Sequence, residues 1–252
     1  MNYINTLKSE WIKTKKSSAS WLSLLGGFFI PTILLIACLV EGESIDAIGG
    51  GKGNSWNTLF SMGWSGMAQF LLPMGMILAA SMITQIEYKN NTWKQVHASP
   101  QSYPQIFFTK FLVIVLMAVK FFVFFNIGLL IAGTLSTLFI DGGLPQSSFP
   151  LADILKMDIK YFIACLPILA IQYLLSLRFK NFLTAVGIGM LGLIGSLIGM
   201  VWEHIYISPY AYTIMQWAPI PRDFSVHWYA LIYFVPLMVL GYATYISKGE
   251  KG

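Results

Sequence analysis

Six long stretches with few or no charged residues constrain this chain more than any other feature. They cover residues 19–40, 64–86, 111–139, 161–177, 182–202 and 226–247. A helix that crosses the hydrocarbon core of a bilayer needs about 20 apolar residues, and in lipid an isolated span must satisfy its backbone polar groups internally. The alternating pattern of a membrane barrel is absent. The sequence therefore predicts an all-α membrane protein with six transmembrane helices.

The composition agrees with this class of protein. Only 11% of the 252 residues are charged, whereas soluble domains carry about 25%. A net charge of +5 would suggest nucleic acid as the partner of a soluble protein, but here it indicates cytoplasmic loops beside anionic lipid headgroups. We therefore expect membrane lipid and no nucleic acid among the partners. Cys38 and Cys165 both lie in apolar runs, which predicts neither a disulfide framework nor a metal site.

The N-terminal residues 1–16 have the pattern of a surface helix. Ile4, Leu7 and Trp11 recur at helical spacing among four lysines. A basic amphipathic helix of this kind lies in the membrane interface rather than crossing the membrane. The alternative is an unstructured basic tail.

The distribution of lysine and arginine predicts the orientation of the spans. With the N-terminus inside, the inner segments hold eleven of the 16 basic residues, the outer segments hold four, and Lys120 lies within a span. Because basic residues favour the cytoplasmic side, both termini should be cytoplasmic, and residues 87–110 should form a cytoplasmic loop. Outside, residues 41–63 should be a mobile loop. The aromatic and proline-rich residues 203–225 predict a short helix or re-entrant hairpin, with an ordinary aromatic belt as the alternative.

A few residues within the spans stand out. Inserting the charged side chain of Lys120 at the bilayer centre would cost roughly 3 kcal/mol of free energy, which suggests that the residue has a function. The alternative is that its helix starts in the cytosol, so that Lys120 lies near the inner headgroups and its side chain reaches them. Together with Asn126 and Gln172 it forms a candidate intramembrane polar site, although the two amides are better explained as interhelical hydrogen bonds. Gly195 and Gly199 predict close helix packing in a bundle or dimer. The alternative is that they only reflect the general enrichment of glycine in membrane helices.

The chain contains no recognisable catalytic motif. The patterns HExxH, GxxxxGK[ST] and GxSxG are all absent from the sequence, so zinc peptidase chemistry and ATP binding through a P-loop are not expected of this chain. Glu203 and His204 are its only adjacent acid and histidine, and His227 follows 23 residues later. An intramembrane peptidase built on these three residues is an alternative.

Several short motifs resemble a known family. They are the basic helix with LKSEWIK at Leu7 to Lys13, Glu87 after the second span, NTWKQ at Asn91 to Gln95, Ser99 with Pro100, and Lys110 at the start of the third span. Together with six spans, they resemble the permease subunits of ABC-2-type exporters. Within that family, the chain is most similar to the lantibiotic-immunity and bacitracin-resistance permeases.

The resemblance implies an architecture and a set of partners. Residues 1–252 would form a single permease domain in the bacterial cell membrane, paired with an identical or sibling permease. Two separate ATP-binding subunits would hold ATP and Mg²⁺ and hydrolyse the ATP, so this chain would not itself be an enzyme or hold a cofactor.

The resemblance also implies where these subunits meet. The loop around residues 87–105 would hold a coupling helix, with Glu87, Trp93, Lys94 and Gln95 at the interface with the ATPase. Residues 203–225 would match the outer re-entrant helices of the family. The substrate would be a lantibiotic-like antimicrobial peptide or another amphipathic molecule, moved out of the membrane for immunity or resistance. A non-transporting immunity or scaffold protein is the alternative.

Overall fold

All regular structure in the part of the chain that the structure describes is helical. The computed structural model describes residues 3–15, 17–48, 55–90, 92–98, 101–218 and 224–249. The α-helices are α1 (Tyr3–Thr14), α2 (Ser18–Glu41), α3 (Ile45–Ile48), α4 (Ser55–Gly66), α5 (Leu72–Lys89), α6 (Trp93–Ala98), α7 (Tyr103–Ile140), α8 (Leu151–Arg178), α9 (Phe182–Ile198), α10 (Tyr212–Trp217) and α11 (Val226–Gly249). A π-helical turn, Met67–Leu71, joins α4 to α5 without a break.

Five helices among the described residues are long and apolar enough to cross a membrane. They are Ser18–Glu41, Ser55–Lys89, Tyr103–Ile140, Phe182–Val201 and Val226–Ser247. The all-α membrane class is therefore confirmed, and five of the six predicted spans overlap these candidate helices. The fourth predicted span, residues 161–177, lies inside α8, which is not one of the five. The helix α8 begins ten residues before that span, and a crossing by α8 stays a prediction.

Two other predicted spans also belong to helices that begin earlier than expected. Residues 55–63 were predicted as part of a mobile loop, and that is wrong, because α4 begins at Ser55. Trp56, Leu59 and Phe60 are buried and recur with the i, i+3, i+4 spacing of a helix face. The helix α7 begins at Tyr103 rather than residue 111 because Ser102 and Gln105 form a capping box there.

Helix packing places α5 and α8 inside the bundle. The helix α8 lies between α5 and α11, and α2 packs along α7. The α2–α7 contact is close because glycines lie in it. A Cβ atom added to Gly27 would lie 2.8 Å from the side chain of Phe124, and one added to Gly128 would lie 2.8 Å from Pro31.

The segments that were predicted to be cytoplasmic meet at one end of the bundle, which we call the basic end. Here α1 contacts the start of α7. The ring of Tyr103 in α7 lies 6.2 Å from that of Tyr245 near the end of α11. The Tyr88 hydroxyl of α5 donates to the carbonyl oxygen of Leu177 in α8, at 2.9 Å. At the opposite end, the Trp56 indole donates to a loop carbonyl oxygen.

Residues 203–218 form two 3₁₀ turns and the short helix α10 at the opposite end. Tyr210 and Tyr212 are buried there, and α10 packs on α8. The predicted short helix is therefore confirmed, and these two tyrosines do not form a surface belt. The remainder of the predicted segment includes residues 219–223, which lie outside the described residues.

The N-terminal helix α1 buries an unexpected face. The segment is helical over Tyr3–Thr14, so the alternative of an unstructured tail is wrong for these residues. Its buried residues are polar, namely Thr6, Glu10 and Thr14, while Ile4 and Ile12 are exposed. An interfacial role for α1 stays a prediction, because its apolar residues are not all on the side that packs against the bundle.

Candidate partner-docking site at the basic end

Four charged side chains from three helices meet at the basic end, and we call them the charge cluster. Glu10 and Lys13 come from α1, Glu87 from α5 and Lys110 from α7. The Lys110 ammonium lies 2.7 Å from a carboxylate oxygen of Glu10 and 3.2 Å from one of Glu87. The Lys13 ammonium lies 2.6 Å from Glu10 and 3.0 Å from Glu87. Each lysine thus bridges both acids.

Three members of the charge cluster are buried, Lys13 is exposed at its edge, and the four charges balance. Lys110 and Glu87 are each 1% exposed. Buried charges are tolerated when they are paired and hydrogen-bonded. Burial raises the pKa of Glu10, but Lys110 and Lys13 outweigh this effect and hold that pKa below its usual value. Burial lowers the pKa of Lys13, but Glu10 and Glu87 hold it above its usual value. Both α1 members therefore stay charged at neutral pH.

The charge cluster also fixes the loop that follows α5. The Thr92 amide donates to the Glu87 carbonyl oxygen at 3.0 Å, and the Thr92 hydroxyl donates to the Glu87 carboxylate. The helix α6 starts at the next residue. Its Trp93 ring lies 5.6 Å from the Lys110 ammonium, within cation–π range, and 5.3 Å from the Tyr88 ring. The same residues that tie α1 to α5 and α7 thus hold the start of α6.

A second set of contacts fixes the base of the loop from the other side. Gln85 donates to the carbonyl oxygen of Lys180, in the turn between α8 and α9, at 3.0 Å. The bond from Tyr88 to Leu177 reaches the end of α8. The last turn of α5 is therefore bound to α1, α7 and α8, so a displacement of α6 would be passed to several long helices.

The structure assigns different positions to the four predicted interface residues. Glu87 is buried, so it positions the loop instead of facing outward. Trp93 is half-buried and Gln95 is exposed. Lys94 lies in α6, but its side chain falls outside what the structure describes.

The sequence reasoning missed Glu10 and the role of Lys110. Glu10 and Lys110 are 100 residues apart, so no local pattern links them. One signal was present: Glu10 is the only acid in residues 1–16, and Glu87 is the only acid in residues 47–140. Isolated acids near lysines at helix ends indicate ion pairing.

Comparison with known families decides what kind of chain carries this site. Residues 6–199 match the model of the ABC-2 family transporter proteins. The match covers well over half of the chain. This chain belongs to the ABC-2 transporter family. The matched region contains all of the charge cluster and ends just after α9.

Membership of the ABC-2 family has direct consequences. The chain is a multi-pass membrane protein and a permease component of an ABC transporter, and such components are not themselves catalytic. The family works with an ABC ATP-binding subunit. No curated protein and no solved structure matches the chain significantly.

The intramembrane polar residues of this ABC-2 permease form separate contacts, not one site. The Lys120 ammonium donates to the hydroxyl of Ser20 and, at 3.2 Å, to its carbonyl oxygen. Ser20 lies in the first turn of α2, at the basic end, while Ser23 contacts Met117 further along. Lys120 therefore turns back toward the basic end, which favours the interpretation that it reaches toward the headgroups.

The two amides link neighbouring helices. Gln172 in α8 donates to the Ser81 hydroxyl of α5 at 2.9 Å and to the Ala185 carbonyl oxygen of α9 at 2.6 Å. Asn126 in α7 donates to Asp158 in α8 at 2.6 Å. These contacts are interhelical hydrogen bonds of the kind expected in membrane bundles.

The glycines of α9 differ in what they contact. A Cβ atom on Gly195 would meet nothing within 4 Å, and one on Gly199 would meet only Ile205, at 3.1 Å. A Cβ atom on Gly192, in contrast, would lie 2.7 Å from the ring of Tyr210. Within this chain the close packing of α9 thus occurs at Gly192 and at Gly189, where an added Cβ atom would lie 2.9 Å from Ile77, and the prediction for Gly195 concerns a second chain.

The residues of the peptidase alternative lie at the opposite end. The His204 ring is exposed, with its Nδ1 atom 3.2 Å from the hydroxyl of Tyr206, and His227 is in the first turn of α11. Across the described residues, no group of three or more potential ligands among His, Cys, Asp and Glu is placed to hold a metal ion.

Proposed function

We propose that the chain is the membrane-spanning subunit of an ATP-driven exporter and that α6 is its coupling helix. In this proposal α8 also crosses the membrane, which brings the number of spans to six, both termini are cytoplasmic, and the basic end faces the cytoplasm. Two ATP-binding subunits, which hold ATP and Mg²⁺, dock there beneath a pair of permeases, identical or sibling.

The observation that carries the proposal is the attachment of α6 to the charge cluster. A short helix can transmit a movement only when its own support is rigid. Here Thr92 and Trp93 connect α6 to Glu87 and Lys110, which in turn pair with α1. When the ATPases close, the displaced α6 would move the ends of α1, α5 and α7 together and change access to a path between the permeases.

The proposal is tested by affinity purification of the tagged chain from native membranes in mild detergent. We expect an ATP-binding subunit and ATPase activity to co-purify, and the pair Trp93→Ala with Lys94→Glu to abolish both. The matched control, Trp202→Ala with Lys156→Glu, changes the same residue types at exposed positions of the opposite end and should retain the partner. A chain that purifies alone, or equal losses in both variants, would overturn the proposal.

The orientation has its own test. In a background lacking Cys38 and Cys165, we expect Lys156→Cys to react with an impermeant thiol reagent in intact cells. Lys180→Cys should react only after the cells are opened. Lys156 lies in the second turn of α8 and Lys180 lies two residues beyond its last residue, so labelling of both from the same side would show that α8 does not cross.

We further propose that the substrate is an amphipathic antimicrobial peptide of the lantibiotic type, removed from the membrane for immunity or resistance. The support for this substrate class is the sequence resemblance alone. Cells that express the chain with its ATPase should tolerate several-fold more peptide than cells without them. Protection that persists when the ATPase cannot hydrolyse ATP would favour a non-transporting immunity protein.

A further inference from the structure

A large open groove lies beside the charge cluster at the basic end. Its volume is about 1360 Å³, and it is bounded by the first turns of α2 and α9 and the last turns of α5. Met82 and Ile86 of α5 and Phe182 of α9 give it apolar walls. Lys89 and Lys180 line it at the helix ends.

The groove carries unneutralised positive charge. Lys89 and Lys180 are exposed, and no ion pair to either is found within the described part of the chain. Lys13 also lines the groove, but Glu10 and Glu87 neutralise it. Glu87 is the sole acid among the described lining residues, and it is committed to the charge cluster. Two lysines are therefore available to an anion.

The polarity of the groove changes along its length. Met82 and Ile86 precede Lys89 in α5 by about two turns and one turn, so the apolar wall lies toward the middle of the span. Lys89 is the last residue of α5 and Lys180 lies in the turn before α9, so both lysines lie beyond the apolar part of the wall, at the basic end. An apolar surface that ends in basic side chains matches a phospholipid, whose acyl chains lie deeper than its phosphate, and basic pockets between membrane helices are typical sites for anionic headgroups.

We propose that this groove binds one anionic phospholipid. The ammonium groups of Lys89 and Lys180 hold its phosphate, and its acyl chains lie along Met82 and Phe182. The bound lipid would fill the space between α2 and α9 and support the base of the loop that carries α6. This inference concerns the isolated chain and does not depend on the proposed transport.

Native mass spectrometry of the purified full chain tests the proposal. With phosphatidylglycerol and phosphatidylcholine added in equal amounts, the chain should retain one phosphatidylglycerol. Because each lysine near a membrane surface contributes about 1 kcal/mol, the pair Lys89→Gln with Lys180→Gln should weaken retention by roughly tenfold or more. The variant Lys89→Arg with Lys180→Arg should restore it.

The matched control is Lys156→Gln with Lys160→Gln, which removes the same net charge from exposed positions of α8. This control should bind lipid like the wild type. Equal retention by the Lys89 and Lys180 variant and the wild type, or equal loss in the control, would overturn the proposal.

Two further measurements identify the occupant. Glycerol 3-phosphate, which has the charged group without acyl chains, should not displace the lipid at equal concentration. If it does, the apolar walls are not used and a lipid site is wrong. If the Lys89 and Lys180 variant keeps its lipid but loses the ATP-binding subunit, the groove belongs to protein docking instead, and the lipid proposal fails while the proposed function stands.

Discussion

The two ends of the bundle are stabilised in different ways. At the basic end, Glu10, Glu87 and Lys110 are buried, Lys13 lies at the edge of the charge cluster with its side chain 35% exposed, and each lysine pairs with both acids. Aromatic rings pack in both halves, and in the opposite half, away from the charge cluster, Trp64 stacks on Tyr161 with ring centroids 3.8 Å apart. A buried ion cluster needs every member, because losing one leaves an uncompensated charge, whereas aromatic packing loses only the contacts of the ring removed. The basic end is therefore suited to holding α6 in one position.

The largest loss in the free energy of unfolding should follow removal of Lys110, the buried cation that pairs with both acids. Lys110→Met leaves the carboxylates of Glu10 and Glu87 with only Lys13 between them, in a buried site. Removing one partner of a buried ion pair costs about 3–5 kcal/mol. We expect a loss of this size in the free energy of unfolding, measured by denaturant titration in detergent.

The control for this prediction restores the charge balance. Glu10→Gln combined with Lys110→Met leaves Lys13 paired with Glu87, so the double variant should recover much of the lost stability. If Lys110→Met unfolds at the same denaturant concentration as the wild type, the charge cluster does not hold this end together.

A smaller loss in the free energy of unfolding is expected when an aromatic ring is removed from the opposite half. Tyr161→Leu removes a stacked ring from Trp64, a contact worth about 0.5–1.5 kcal/mol beyond the buried area, and leaves a small cavity. We expect a total loss of about 1–3 kcal/mol in the same titration. Tyr161→Phe keeps the ring and serves as the control, with a loss near zero. A loss larger than that of Lys110→Met would reverse the comparison between the ends.

The sequence predicted the helices well where the apolar run and the helix coincide. The predicted span 19–40 differs from α2 by one residue at each end. The predicted span bounds were misleading where a helix continues beyond its apolar run, because hydropathy does not detect a helical turn made of polar residues. The first ten residues of α8 contain four charged residues, Asp153, Lys156, Asp158 and Lys160, and were left outside the predicted span 161–177.

The candidate site was predicted only in part, for a similar reason. The polarity of residues 87–110 and their resemblance to a family located the loop and Trp93. The support of the loop depends on Glu10 and Lys110, which are brought together by folding across 100 residues. Propensity and periodicity describe neighbours along the chain, so neither could identify this pair.

The pH dependence of stability should distinguish the ends further. The pKa of Glu10 is lowered from its ordinary value of 4.5, so its contribution is complete above that pH and is lost as the pH falls through the lowered pKa. The pKa of Lys13 is raised from 10.5, so its contribution is complete below that pH and is lost as the pH rises through the raised pKa. The contribution of these two groups to the midpoint temperature of thermal unfolding should therefore be nearly constant between about pH 4.5 and pH 10.5.

The variants provide the comparison for this pH profile. Glu10→Gln should lose less stability than the wild type on acidification to about pH 3.5, because it has no carboxylate to protonate. Tyr161→Leu should keep the shape of the wild-type profile at lower stability. If Glu10→Gln and the wild type lose equal stability in acid, other carboxylates account for the acid limit.

The smallest effect should come from the ion pair that lies in solvent. The ammonium of Lys156 lies 3.4 Å from the Asp153 carboxylate, and the two side chains are 73% and 70% exposed. Water screens an exposed pair, and ordering two long side chains offsets most of its attraction, so such pairs contribute about 0–1 kcal/mol. Lys156→Ala should therefore change the free energy of unfolding by less than about 0.5 kcal/mol. Because Lys156 pairs with one exposed carboxylate and Lys110 with two buried ones, the loss for Lys110→Met should far exceed the loss for Lys156→Ala, and similar losses would show that the buried charge cluster is no more important than an exposed pair.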